Sequence, residues 1–81
     1  MSIRWVRNVK IDGEASTIEI QLGDRHIGDK CYARVNNDTE RWFKNMFDNR
    51  DEIIAQGIDM LKQWLKDKTI TYPDGREYDW Q

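Results

Sequence analysis

The chain holds one cysteine, one proline and one histidine in 81 residues. A single Cys excludes an internal disulfide framework and every CxxC metal or redox pair. A single His leaves no imidazole pair of the kind that structural zinc usually draws on. With one Pro and five Gly, no linker, repeat or low-complexity segment stands out. No apolar run approaches the roughly 18 residues that a membrane span needs. The first residues, Met-Ser-Ile-Arg-Trp, lack the apolar centre of a signal peptide. Neither GxxxxGK[ST] nor GxGxxG occurs, so nucleotide binding has no support. These absences predict a cytoplasmic single domain with no membrane partner, no cofactor and no metal.

What is present is ordinary in amount and uneven in placement. Charged residues make up 35% and apolar residues 38%, with a formal net charge of −2. That charge is too small to imply a polyanionic partner. Arg4, Arg7 and Lys10 lie in an acid-free stretch at one end, while acids are in excess from residue 37 onward. The resulting dipole would at most steer an encounter. A chain of this size makes one domain, 1–81, with a radius of gyration of about 12 Å. Four Trp, three Tyr and two Phe supply much of what a small core can bury, at roughly 150–250 Å² each.

Residues 3–11 alternate, with Ile3, Trp5, Val9 and Ile11 on one face, interrupted by Arg7. Period two predicts a strand with one buried side. Asp12-Gly13 follows, the pair that best serves a type I′ hairpin turn. The return strand runs from Ala15 to Leu22, with Ile18 and Ile20 inward and Thr17, Glu19 and Gln21 outward. Residues 23–29 read as a long connection. Alternation resumes at 30–35, with Cys31, Ala33 and Val35 inward and Tyr32 and Arg34 outward. The first 36 residues thus predict a three-stranded antiparallel meander.

Residues 37–68 predict its cover. Asn37 with Glu40 three later resembles a capping box. Phe43, Phe47, Ile54, Ile58, Leu61 and Leu65 share one helical phase, and Trp42, Met46, Ile53, Met60 and Trp64 form a second stripe beside it. A single helix this long would span roughly 45 Å, more than the globule. Five polar residues at 48–52 also interrupt it, with Asn49 and Glu52 as a second cap. A bend or break there is therefore favoured over an unbroken helix. Gly57 faces the buried side, which predicts close approach to the sheet. Residues 69–81 predict a C-terminal hairpin about Pro73-Asp74-Gly75. The expected fold class is α+β: a three-stranded antiparallel β-meander, a long or bent helix over one face, then a C-terminal β-hairpin.

Few residues suggest chemistry. Asp24, His26, Asp29 and Cys31 read D-x-H-x-x-D-x-C, which matches no recurrent zinc spacing. A solvated loop histidine beside turn-forming aspartates is the better reading. Cys31 falls on the inward face, where a free thiol packs rather than reacts. No catalytic residues are expected, and the chain is read as not an enzyme. Arg4, Lys10, Tyr32 and Arg34 share the outward sheet face, an arrangement some single-strand nucleic-acid readers use. Glu19 on that face and a pI of 5.3 favour an ordinary solvated surface.

The aromatic surplus is the stronger signal. The stripe of Trp42, Met46, Met60 and Trp64 makes the apolar arc wider than a helix facing one sheet requires. Core packing under Tyr72, Tyr78 and Trp80 is favoured, with a docking surface as the alternative. Trp, Tyr and Arg are the types enriched at binding hot spots, so Arg50 joins those residues as an interface candidate. The expected function is a small non-catalytic protein-interaction module, regulator or inhibitor of a size common among bacterial and phage proteins. Its partner would be another protein or a second copy of itself. A nucleic-acid-binding accessory role through the basic sheet face is the alternative.

Overall fold

The computed structural model describes residues 4–22, 30–44 and 49–81. Ile3, the connection at 23–29 with Asp24, His26 and Asp29, and Met46 and Phe47 lie outside the described residues. Five strands and one helix follow in order: β1 (Arg4–Ile11), β2 (Glu14–Leu22), β3 (Lys30–Val35), β4 (Arg41–Lys44), α1 (Arg50–Trp64) and β5 (Ile70–Thr71). The strands make one antiparallel sheet in the order β4-β3-β2-β1-β5. The class is α+β, and the radius of gyration is 12.7 Å.

The first hairpin forms as its turn chemistry dictates. Asp12 and Gly13 take φ of 51° and 84°, the two left-handed positions that a type I′ turn demands. Pairing runs from Ile11–Glu14 to Arg4–Gln21. Asp12 also accepts a hydrogen bond from the Thr69 amide at 2.9 Å, while its own amide donates to the Thr69 carbonyl at 2.8 Å. The turn therefore clasps the segment that follows the helix.

One expectation is corrected. Residues 37–44 do not begin a helix; 41–44 form β4, which pairs with β3 and extends the meander to four strands. The cause is local. Asn36 adopts φ of 55°, a left-handed position that Asn tolerates better than most residues. Its amide donates to the Thr17 carbonyl at 2.7 Å, and its side-chain oxygen accepts from the Thr17 amide at 2.9 Å. The chain is thereby turned back along β3, and Asn37 caps nothing. The C-terminal hairpin meets the meander at its edge. Its first arm, β5, joins the sheet on the outer edge of β1, and its second arm touches the first at the Thr71–Glu77 bridge.

The helix begins where the polar run placed its second cap. The Asn49 side chain accepts from the Asp51 and Glu52 amides, which satisfies two of the orphan donors at a helix start. Asp51 and Glu52 in the first turn complement the positive pole. Fifteen residues at about 1.5 Å each give roughly 22 Å, which fits the globule. Ile53, Ile54, Gly57 and Leu61 face the sheet. They meet a core that includes Trp5, Val9, Ile18, Ile20, Cys31, Ala33 and Val35. Each fully buried aliphatic side chain contributes about 2 kcal/mol. Gly57 is needed for this approach: a β-carbon there would sit 2.6 Å from Ile20 Cδ1. Tyr78 is buried from the C-terminal segment and completes the core.

Candidate interaction face

Among the described residues, the helix and the C-terminal segment cover one side of the sheet and leave the other open. Pairing register assigns residues to that open side. One row crosses four strands as Arg4, Gln21, Tyr32 and Trp42; the next crosses three as Val6, Glu19 and Arg34. Alternation in β1, β2 and β3 therefore puts polar residues here, and β4 adds an indole.

Trp42 is 45% exposed, the one large exposed hydrophobic side chain among the described residues. Its ring lies 5.1 Å from that of Tyr32 at a tilt of 57°, a favourable arrangement for two quadrupoles. The Arg34 guanidinium stands 5.7 Å from the Tyr32 ring centre. Beneath it Glu19 is only 5% exposed, although it sits on the uncovered face. Its carboxylate accepts from Gln21 Nε2 at 2.9 Å and from the Arg34 guanidinium. Arg34 also faces Glu40 at 3.7 Å. A buried carboxylate costs a great deal unless paired and hydrogen-bonded, and here it is both. The hydrogen bond to Glu19 raises the Arg34 pKa. Burial pushes the Tyr32 hydroxyl above its ordinary value, and the Glu19 charge adds to that shift. The result is a tilted aromatic pair beside a guanidinium held in one orientation.

The expected site residues are redistributed by this geometry. Arg4, Tyr32 and Arg34 lie together. Lys10 is six residues farther along β1, about 20 Å away at strand rise, and is not part of the cluster. Trp42 leaves the predicted helical stripe for the open face. Met60, Trp64, Tyr72 and Trp80 are partly buried against the core on the covered side. The Arg41 guanidinium lies 3.8 Å from the centre of the Trp64 ring and covers it. Arg50, an interface candidate, is exposed at the helix start, 3.8 Å from Asp51. Cys31 is fully buried on the core face, as its strand position predicted. The described residues contain no group of three or more His, Cys, Asp or Glu that would hold a metal ion.

The Tyr32–Trp42 pair is the feature that sequence reasoning missed. The available cue was Asn36-Asn37-Asp38, which is turn chemistry as much as cap chemistry. None of the described helices is long and apolar enough to cross a membrane. No protein-family model matches the chain, and neither a curated protein sequence nor a solved structure matches it.

Proposed function

We propose that this chain is a non-catalytic protein-docking module that engages its partner through the open sheet face, with Trp42 as the anchor. The observation that carries this reading is the exposed indole packed against Tyr32 beside a guanidinium fixed by Glu19. Trp, Tyr and Arg are the types over-represented at hot spots, and pre-orientation reduces the entropy lost on binding. The face is close to charge balance, with Arg4 and Arg34 set against Glu19 and Glu40. That balance suits a protein surface better than a polyphosphate, whose affinity rests on unpaired cations.

The test is affinity capture from lysate with the native chain and the Trp42→Ala variant, followed by calorimetry on the purified partner. The expected outcome is a partner held by the native chain and weakened by about 2 kcal/mol or more in the variant. Melting should move little, because Trp42 sits half-exposed on an edge strand. A partner bound equally by both forms overturns the assignment of the face.

One observation favours a second reading. Trp42 beside Tyr32 makes two aromatic platforms near Arg4 and Arg34, an arrangement on which unpaired bases stack. Under that reading single-stranded oligonucleotides bind at low salt, release steeply as salt rises, and lose affinity in Trp42→Ala.

A further inference from the structure

On the covered side, where the helix ends and the C-terminal hairpin crosses it, lies a cleft of about 580 Å³. Ile70 and Trp80, both partly exposed, supply apolar surface over the buried Leu65 and Tyr78, and Lys62, Lys66 and Lys68 surround it. We infer that this cleft is a second docking site, one that takes an acidic peptide segment carrying an apolar anchor.

The charge argument comes first. The whole chain is net −2, yet three lysines converge here against one lining acid, Glu77. One lysine near a helix C-terminus is ordinary, since it complements the negative pole. Three exceed that need, and Lys66 and Lys68 both lie beyond the helix. Lys62 stands 5.9 Å from the centre of the Trp80 ring, and Lys68 is 3.7 Å from Asp12. Both contacts hold the ammonium groups about the cleft while leaving donors for a ligand, because each ammonium carries three.

Shape and backbone support the same occupant. The volume lies in the range of about 300–1,000 Å³ typical of binding pockets, enough for a few side chains. Trp80 has φ of 65°, a conformation a bulky residue adopts only when its surroundings enforce it. That conformation brings its ring within 5.2 Å of Tyr78 and makes it a wall of the cleft. Nucleic acid fits less well: with Lys68 partnered by Asp12, anion binding falls mainly to Lys62 and Lys66, and two cations are few for a row of phosphates. A peptide segment offers discrete carboxylates to Lys62 and Lys66 and an apolar side chain to Ile70 and Trp80.

The test uses the full chain and a fluorescein-labelled peptide in which pairs of glutamates alternate with leucine, followed by anisotropy at low ionic strength. The expected result is saturable binding that falls about tenfold, or 1.4 kcal/mol, in the double variant Lys62→Gln, Lys66→Gln. Replacing the peptide's glutamates by glutamine should cause a similar loss. Both lysines are exposed, so the double variant should keep its melting transition. Trp42→Ala should bind the peptide as the native chain does, which separates this site from the open face. Absence of binding, or equal binding by the double variant or the glutamine peptide, overturns the inference. Tighter, lysine-dependent binding of an oligothymidylate probe overturns the choice of occupant.

Discussion

A methyl group at position 57 would meet three atoms of Ile20 at 2.6–2.8 Å. Ile20 is fully buried and cannot swing aside, so the helix would have to lift from the sheet. Two effects oppose each other in Gly57→Ala. Helix propensity favours alanine by about 1 kcal/mol, while overpacking costs roughly 1–3 kcal/mol. The clash is threefold and with a branched side chain, so overpacking wins. Gly57→Ala should lower the urea midpoint, and a midpoint unchanged or raised would show that the helix shifts freely. Glu19 illustrates a different residue-scale constraint. Its outward position was legible from alternation in β2, but its burial was not, because burial depends on Arg34 and Gln21 closing over it. The same limit applies to the open face. Tyr32 and Arg34 could be read from period two, whereas their neighbour Trp42 could not.

The reason lies in β4, an element of four residues. Trp42, Phe43, Met46 and Phe47 recur at helical spacing, so the segment satisfies a helical phase test as well as the true helix does. A four-residue strand is too short to establish its own period. The decision was made upstream by the left-handed Asn36 and its two hydrogen bonds to Thr17, a tertiary effect that a periodicity window does not sample. By contrast the β1–β2 turn was legible because Asp-Gly has few alternatives. The true helix start was legible too, because Asn49 and Glu52 sit in a polar run before an apolar stripe. That cap gives an element-scale prediction. Asn49→Ala removes the acceptor for the Asp51 amide at 2.8 Å and the Glu52 amide at 3.4 Å. The expected loss is about 1 kcal/mol, seen as a lower melting temperature by circular dichroism. Asn49→Ser or Asn49→Asp should recover most of it.

For the whole molecule the alkaline limb of stability follows from the tyrosines. Burial pushes the Tyr78 hydroxyl up to about 12, against about 10 in an unfolded chain. Below pH 10 both states keep the proton, and the contribution is constant. Between pH 10 and 12 the unfolded chain releases it and the native one does not. Stability therefore falls as pH rises through that window. Tyr32 and Tyr72 are raised as well, Tyr32 first by burial and Tyr72 first by its hydrogen bond to Asp79, so they act in the same direction. Urea titrations at pH 8, 10 and 11 should show the decline, and Tyr78→Phe should make it shallower. An identical decline in that variant would remove Tyr78 as the main cause.

The clasp between Asp12 and Thr69 joins residues 57 positions apart, and β5 pairs with the end of β1, at Lys10 and Ile11, only after it. During synthesis β1 emerges well before β5, and among the described residues nothing between β2 and β5 pairs with Lys10 and Ile11 on that side. A nascent polypeptide therefore carries that end of the strand open and pairing-competent until the region around 70 has left the ribosome. That interval is when a holding chaperone has most to protect.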